Sequence, residues 1–442
     1  MTALRVKTGD PLELRGRELP RPIPIRPECT MRPRKFSGAN AQSISRSNRS
    51  VIFRALHALG PISRVELSRE SGLNPGTVTN IVDELLASGL VRETGSLPEA
   101  PPRRVGRRRI LLEVAPDARY AIGVDLARNA VSAAVIDLSG RVIASYSEPV
   151  GELSSKGFID KIAHGIMQVR QQLTPEQNAR VVGAGIGAPG ALSIRSGTFQ
   201  PPPSYGNWGD IDLRQKIEEA TGIATTIDNN GNTSALAELW FGGQERLANV
   251  VLLNLGTGVG AGLVLDGELY RGEHDLAAEI GHISIAMDGP RCACGNFGCL
   301  EMFVSVPRVL AAAHAAVQTG EPTMLRFAGT AATNGHLDQF LDAVRQGDSL
   351  ASRVMADTAR YLATGIVNII NMLDPEVVLI GRELAQAGDL LLDPVREEVK
   401  RRVLPVLRPS VRIEVTTVPH GPITGAAVLA LEKFFNAPLE QP

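Results

Sequence analysis

The segment Glu279-Ile-Gly-His282 is followed by Cys292-Ala-Cys294-Gly-Asn-Phe-Gly-Cys299-Leu-Glu301, which brings one imidazole and three thiols into a short stretch of chain. These four side chains follow one another at separations of ten, two and five residues. Thiolate and imidazole ligands in this number suit tetrahedral zinc, and four protein ligands close its coordination sphere. Gly295 and Gly298 permit the tight turns that aim the sulfurs inward. The alternative is a reduced cysteine cluster without a metal. We predict a structural Zn²⁺ site formed by His282, Cys292, Cys294 and Cys299.

A family resemblance rests on this segment. A histidine, nine residues, and then Cys-x-Cys-Gly-x-x-Gly-Cys-x-Glu resembles the signature of the ROK family (repressor, ORF, kinase). That family joins sugar kinases to sugar-responsive repressors on one two-lobed, actin-like ATPase (ribonuclease H-like) fold. The resemblance extends from about residue 45 to the C-terminus. Within the family, the chain is similar to the N-acetylglucosamine- and xylose-responsive repressors. It implies an α/β protein with an N-terminal winged helix-turn-helix and a ROK domain.

Composition and charge limit the class of protein. With 43% hydrophobic residues, 21% charged residues and a net charge of −1, the chain has the composition of an ordinary soluble protein. No run of residues reaches the length of a membrane span, and cysteines at metal-ligand spacing favour a reducing compartment. We therefore expect a cytoplasmic protein without a membrane partner. Residues 31–113 carry 14 Lys and Arg against 7 Asp and Glu, and such a basic module is typical of nucleic-acid binding.

A chain of 442 residues predicts two to four domains. We expect a disordered, basic and proline-rich tail over 1–44 and a winged helix-turn-helix over 45–113. The first ROK lobe would cover 114–232 and include a C-terminal helix over 425–442, which packs back against that lobe. The second lobe would cover 233–424 and carry the zinc motif.

Apolar residues at helical spacing predict three helices between Arg49 and Ser88, and two strands with an arginine-rich loop follow them. Ser63 is the expected cap of the second helix. Asn74 is the expected cap of the third, with Pro75 at its first position. In a winged helix the third helix enters the major groove and the wing meets phosphates. The alternative is a three-helix packing unit that does not bind DNA. The predicted DNA contacts are Asn74, Thr77, Thr79, Asn80, Arg103, Arg104, Arg107 and Arg108.

The resemblance also implies a sugar pocket. Glu279 and His282 match the family's Glu-x-Gly-His pair, Glu301 matches its acidic residue after the last cysteine, and Asn229 matches its sugar-binding asparagine. Carboxylates and amides suit the paired hydroxyls of a sugar ring. The implied sugar-binding residues are Asn229, Asn230, Glu279, His282 and Glu301.

The phosphoryl side of the kinase pattern is altered. Where the kinases have Asp-x-Gly-Gly-Thr-Lys, this chain has Asp125-Leu-Ala-Arg-Asn-Ala130. The kinases' catalytic aspartate falls at Asn230, and an amide cannot accept the sugar proton. Their Gly-Gly pair near the nucleotide becomes Gly381-Arg382, whose side chain could fill that space. Thr257 and its neighbouring glycines, which resemble the second phosphate loop, remain. We therefore expect no enzymatic activity.

These patterns predict a DNA-binding transcriptional regulator that acts as a repressor. Its ROK domain is expected to bind a sugar or sugar phosphate without phosphorylating it. The expected partners are double-stranded operator DNA, that effector, and a second copy of the chain in a homodimer or tetramer. Two alternatives remain open. One is a sugar kinase with an appended DNA-binding domain, and the other is a repressor whose ROK domain docks a protein.

Overall fold

The structure is a computed structural model that describes residues 41–96, 110–151, 154–202, 208–243, 247–327 and 334–437. Most of the predicted tail and the four predicted wing arginines, Arg103, Arg104, Arg107 and Arg108, lie outside these ranges. Within the described ranges, no helix is both long and apolar enough to cross a membrane.

Three helices and a three-stranded antiparallel sheet form the N-terminal module. Its elements are α1 (Ala41–Leu59), β1 (Ile62–Ser63), α2 (Arg64–Ser71), α3 (Pro75–Ala87), β2 (Val91–Ser96) and β3 (Ile110–Val114). Strand β3 lies between β1 and β2. This arrangement is the predicted winged helix-turn-helix, although α1 begins at Ala41, inside the range predicted as tail.

Local hydrogen bonds explain where the helices of this module begin. Ser63 and Glu66 form a reciprocal capping box at the start of α2. At the start of α3, Asn74 Oδ1 accepts a hydrogen bond of 2.8 Å from the Thr77 amide. Gly72 ends α2 in the left-handed region at φ +70°, which glycine adopts without steric cost. The caps predicted from the sequence are therefore present.

The first lobe is built on a five-stranded sheet in the order β11-β7-β4-β5-β6. Its elements are β4 (Tyr120–Leu126), β5 (Ala130–Asp137), β6 (Val142–Pro149), α4 (Ser155–Gln171), α5 (Pro175–Ala179), β7 (Val181–Ala188), β8 (Ala191–Ser193), β9 (Thr198–Gln200), β10 (Ile211–Asp212), α6 (Leu213–Thr221), β11 (Thr225–Asn229) and α7 (Asn230–Phe241). Strands β4, β7 and β11 are parallel, so their carboxyl ends meet at one edge of the sheet. That edge holds Asp125 and Asn229.

The second lobe repeats this plan with a sheet in the order β14-β13-β12-β15-β16. Its elements are β12 (Val250–Leu255), β13 (Val259–Leu265), β14 (Glu268–Leu269), α8 (Glu301–Val304), α9 (Val306–Gln318), α10 (Asn334–Arg345), α11 (Ser349–Leu373), β15 (Val377–Gly381), α12 (Asp389–Arg402) and β16 (Ile413–Val415). Strands β12 and β15 are parallel, and Asn254 pairs with Gly381 where they end. The turn that follows β12 and the segment that follows β15 therefore lie side by side.

The last helix, α13 (Gly421–Phe435), returns to the first lobe and packs on β4, β7 and α7. It begins at Gly421 rather than at the predicted Gly425. Gly425 lies against the Thr233 carbonyl of α7, where a side chain would collide with the backbone. The prediction that the final helix packs on the first lobe is confirmed.

The N-terminal module and the first lobe share one hydrophobic core. Phe53 of α1 is fully buried, with its ring centroid 4.3 Å from that of Phe435 and 6.0 Å from that of Trp240. Arg49, also of α1, donates hydrogen bonds to the Phe435 carbonyl at 2.8 Å and the Ala437 carbonyl at 2.7 Å. The module is thus packed directly on α7 and α13.

Candidate metal centre and interlobe cleft

The four predicted metal ligands lie together. His282 Nδ1 is 3.6 Å from Cys292 Sγ, and Cys294 Sγ is 3.7 Å from Cys299 Sγ. All four ligand atoms lie within 4.8 Å of one another. Zn–S bonds of about 2.3 Å at tetrahedral angles place two sulfurs about 3.8 Å apart, so the donor set fits a tetrahedral zinc ion.

Backbone turns bring these ligands together. Short antiparallel bridges join Arg291 to Phe297 and Ser284 to Cys299. Gly295 and Gly298 adopt φ values of +96° and +62°, which confirms their predicted role in the turns. Gly298 also lies against the Ala286 carbonyl, where a side chain would collide with the backbone.

Burial raises the pKa of two thiols of this cluster, those of Cys292 and Cys299. It raises the pKa of the Cys299 thiol to about 12, and the neighbouring cysteines add to the rise. Burial likewise raises the pKa of the Cys292 thiol. A cation that binds here must therefore displace protons, as is general for cysteine sites.

Three predicted sugar contacts lie beside this centre. Partial desolvation raises the pKa of the Glu279 carboxyl, His282 opposes the rise, and Glu301 adds to it, so the three groups lie within electrostatic range of one another. Glu301 Oε2 accepts a hydrogen bond of 2.9 Å from the Val259 amide at the start of β13. The half-buried Glu301 thereby links the metal segment to the turn between β12 and β13.

The two predicted asparagines lie at the start of α7. Asn229 caps the helix, because its Oδ1 accepts from the Gly231 amide at 2.8 Å and its Nδ2 donates to the Gly190 carbonyl at 3.2 Å. Its side chain therefore holds the turn in place. Asn230 Oδ1 lies 3.6 Å from the position that a Cβ atom would take on Gly260 of β13. Asn230 thus lies directly against β13 of the second lobe.

An ion pair that the sequence analysis missed lies directly before these asparagines. Arg271 Nε donates a hydrogen bond of 2.9 Å to the buried Asp228 Oδ2, and Arg271 Nη2 lies 2.9 Å from the same oxygen. Burial raises the pKa of the Asp228 carboxyl, and Arg271 opposes that rise. Asp228 ends a strand of the first lobe and Arg271 follows a strand of the second, so this pair joins the lobes. The available signal was an acidic residue directly before Asn229 and Asn230 in the sequence.

A second ion pair joins the two lobes between the end of β4 and the segment that follows β15. Arg382 Nη2 lies 2.7 Å from Asp125 Oδ1, and the two side chains are only 14% and 7% exposed. Arg382 has φ +69° and ψ −162°, a backbone region that is almost restricted to glycine. The carboxylate of the next residue, Glu383, lies against Gly256 in the turn after β12. The Arg382 side chain therefore lies beside Asp125 near the end of β4, and the expectation that it fills the space of a nucleotide stays a prediction.

The predicted DNA contacts on α3 have different environments. Asn74 is exposed, but its side-chain oxygen caps the helix, and Thr79 Oγ1 donates to the Pro75 carbonyl at 2.8 Å. Asn80 is exposed and Thr77 is half-buried. The start of α3 thus presents a polar surface to solvent.

Comparison with known proteins places this fold and metal segment in a family. The ROK family model matches residues 121–433, and a MarR family model matches residues 47–96. The chain belongs to the ROK family.

Two kinds of relative stand out. The xylose repressor of Caldicellulosiruptor bescii is 29% identical over 381 residues, which cover 85% of this chain and 93% of that protein. A crystal structure of a ROK family transcriptional regulator, described as a homolog of the E. coli Mlc protein, is 30% identical. It matches with a TM-score of 0.73 over 89% of this chain and 97% of that chain. A ROK family glucokinase from Streptomyces griseus, in complex with glucose and AMPPNP, is 25% identical. Its TM-score is 0.62 over 71% of this chain and 99% of that chain.

Proposed function

We propose that this chain is a DNA-binding transcriptional repressor whose ROK domain binds a sugar or sugar phosphate effector without phosphorylating it. The observation that carries the proposal is the continuous core between the winged-helix module and the first lobe, centred on Phe53, Trp240 and Phe435. A DNA-binding module packed in this way follows the movement of the lobe that holds the effector. The relatives named as repressor and transcriptional regulator match most of the chain, which supports the same function.

In this proposal the effector lies between Asn230 and the metal segment. Asn229, Asn230, Glu279, His282 and Glu301 provide the polar groups that contact sugar hydroxyls. His282 Nδ1 faces Cys292 Sγ, so Nε2 is the ring nitrogen available to a hydroxyl. Asn229 acts mainly through the turn that it caps, because both ends of its amide already bond to backbone groups.

The proposed absence of phosphoryl transfer rests on three side chains, those of Asn230, Arg382 and Asp125. Asn230 can hold a hydroxyl but cannot take its proton, so an attacking sugar oxygen has no base at that position. Arg382 and Asp125 bond to each other on the side where the kinases bind phosphate. A sugar kinase with an appended DNA-binding domain is the alternative. An assay of ATP-dependent phosphorylation of any sugar that binds distinguishes the two.

The metal in the proposal is zinc, held by His282, Cys292, Cys294 and Cys299. Zinc would supply fixed structure rather than chemistry, since four protein ligands leave no open position. Its bond to the imidazole would fix the tautomer and orientation of His282 beside Glu279 and Glu301.

DNA binding in the proposal uses the exposed start of α3 in the major groove and the wing arginines on phosphates. A homodimer would place two such helices on half-sites about 34–36 Å apart. A sugar that favours one closure state of the lobes can change operator affinity only by its differential affinity for the two states. Because the module packs on α7 and α13, closure would change the spacing of the two α3 helices.

Calorimetry with D-xylose, D-glucose and N-acetyl-D-glucosamine tests the pocket. We expect at least one of these sugars to bind to the full chain, and Glu301→Ala to weaken that binding by about tenfold or more, because a charged hydrogen bond contributes about 1.5–3 kcal/mol. Glu273→Ala is the matched control, since Glu273 is an exposed carboxylate of the same lobe. Equal affinity in the Glu301→Ala variant, with metal content unchanged, would show that the pocket lies elsewhere.

A further inference from the structure

The charges beside the proposed sugar pocket bear on which form of sugar the cleft accepts. Thr257 and its glycines form the turn between β12 and β13, where the family pattern has a phosphate loop. Three carboxylates lie nearby. Those of Glu301 and Glu383 contact the turn, and that of Asp125 lies near the end of β4 in the other lobe. A phosphate bound here would need hydrogen-bond donors from this turn.

Two of the turn's amides already donate hydrogen bonds within the protein. The Val259 amide donates to Glu301 Oε2 at 2.9 Å, and the Gly256 amide donates to the Gly258 carbonyl at 3.0 Å. Glu301 Oε2 also lies 2.8 Å from the position of a Cβ atom on Gly258. A carboxylate thus already occupies a place where a phosphate oxygen would have to bond.

Glu383 adds a second carboxylate to the same turn. It lies against Gly256, and its Oε2 is buried and accepts no hydrogen bond from the described residues. A buried carboxylate oxygen without a donor makes its surroundings unfavourable for another anion.

The one guanidinium in this group is also committed. The Arg382 guanidinium lies 2.7 Å from the Asp125 carboxylate, and both side chains are almost buried. The backbone of Arg382 adopts a region that residues other than glycine rarely occupy. Three carboxylates and one guanidinium give a formal net charge of −2. A phosphate group would have to displace Asp125 from Arg382 and approach the two other carboxylates.

We infer that the cleft selects an unphosphorylated, uncharged sugar and excludes the corresponding sugar phosphate. This inference rests on the proposed function and narrows its effector class. Asn230 faces Gly260, one residue beyond the Val259 amide, so a phosphate on the sugar oxygen nearest to Asn230 would lie among these carboxylates. Asp125, Glu383 and Arg382 then act as specificity residues, through repulsion of the wrong ligand as well as through contact with the right one.

The test compares each free sugar with its phosphate on the full chain. Calorimetry is performed with D-xylose and D-xylose 5-phosphate, with D-glucose and D-glucose 6-phosphate, and with N-acetyl-D-glucosamine and its 6-phosphate, at fixed ionic strength. We expect the phosphorylated member of a binding pair to bind at least about tenfold more weakly than the free sugar, because juxtaposed like charges cost several kcal/mol. This comparison needs no variant.

Two isosteric variants test the residues. Asp125→Asn removes one carboxylate and releases Arg382, so it should raise affinity for the phosphorylated sugar by about threefold or more relative to the free sugar. Glu383→Gln should also raise the ratio of the affinity for the phosphorylated sugar to the affinity for the free sugar, but by a smaller factor. Glu397→Gln is the matched control, since that carboxylate on α12 is 67% exposed, and it should leave the ratio unchanged.

The outcomes separate this inference from the proposed function. A phosphorylated sugar that binds the wild-type chain as tightly as the free sugar, or more tightly, overturns the inference and leaves the proposed sugar sensor in place. A ratio that does not change in Asp125→Asn or in Glu383→Gln removes these residues from the explanation. Failure of both members of every pair to bind would overturn the proposed sugar binding together with the inference.

Discussion

The ion pair between Asp125 and Arg382 supports a double-mutant cycle whose result depends on two opposing effects. Arg382→Gly removes the partner of a buried carboxylate, which costs about 3–5 kcal/mol in buried pairs. The same change relieves a backbone conformation that costs about 1–3 kcal/mol in a residue other than glycine. Loss of the partner is the larger effect, so Arg382→Gly should destabilise the protein by about 2 kcal/mol.

Asp125→Asn should also destabilise the protein, because it leaves the buried guanidinium opposite a neutral amide. The double variant contains neither buried charge and has glycine in the backbone region that glycine adopts readily. It should therefore have nearly wild-type stability, within about 1 kcal/mol. The coupling equals the sum of the two single effects less the effect of the double variant, so it should be about 2 kcal/mol or more, toward the upper end of what contacting residues give.

Equilibrium unfolding in urea measures this coupling when the wild type, the two single variants and the double variant are compared with a common dependence of the unfolding free energy on urea concentration. A suitable control is the pair of Arg353 and Glu321, which has the same separation of 2.7 Å but is 51% and 38% exposed. A surface pair of this kind should give a smaller coupling, of at most about 1 kcal/mol. Additive single effects in the Asp125 and Arg382 cycle would refute the reasoning, since they would mean that the two side chains do not depend on each other in solution.

Three further predictions concern the metal centre, a buried carboxyl and the wing. Purified protein should contain about one zinc per chain by mass spectrometry, and Cys299→Ser should lose most of it, because structural zinc needs all four ligands; a metal-free wild-type protein would contradict the assignment. Burial raises the pKa of the Glu432 carboxyl from its ordinary 4.5, with Arg271 opposing the rise. The folded state therefore binds that proton more tightly than the unfolded state. Stability contributed by the protonated form is complete below pH 4.5 and is lost as the pH rises through the higher folded value. Glu432→Gln, which retains an acceptor for the Trp240 Nε1 donor, should reduce that loss in urea titrations at several pH values; an unchanged pH profile would contradict the prediction. The double variant Arg104→Glu and Arg107→Glu should bind operator more weakly and with a smaller salt dependence in fluorescence anisotropy, and unchanged affinity would exclude the wing.

The parts of the fold that the sequence could predict depend on neighbours in the chain. Strand β15 (Val377–Gly381) is an apolar run directly after Asp374-Pro375, a local pattern that predicts a strand from the sequence alone. The caps at Ser63 and Asn74 are local hydrogen bonds across three residues. The metal cluster could be predicted for the same reason, since its ligands follow each other closely and its spacing is specific.

The elements that could not be predicted are those whose cause lies elsewhere in the chain. Helix α12 contains Pro394, which the usual rules treat as a helix breaker, and it forms because its apolar face, including Leu391 and Val395, packs into the core of the second lobe. The pairing of Asp125 with Arg382 joins residues that are 257 positions apart. No local sequence pattern connects such residues. They come together only because the edges of the two sheets meet in the folded protein.

The role of Asn229 shows a similar limit at the site itself. The resemblance indicates that this residue contacts sugar, yet its side chain is bonded to Gly231 and Gly190. Its type was informative, but its contacts depend on how β7 and β11 end side by side. The shared core of the winged helix and the first lobe was missed for a comparable reason, since α1 and α13 come from opposite ends of the chain.

The central claim is that sugar binding in the ROK domain changes operator affinity without phosphoryl transfer. The most direct measurement follows one sample of the full chain on genomic operator DNA that the protein itself has selected, at fixed salt, with ATP and Mg²⁺ present. Fluorescence anisotropy reports DNA release as sugar is added, and chromatography of the same sample reports any sugar phosphate formed. The account predicts that a binding sugar lowers operator affinity severalfold while no sugar phosphate accumulates. Formation of sugar phosphate, or operator affinity that does not change when the pocket is saturated, would contradict it.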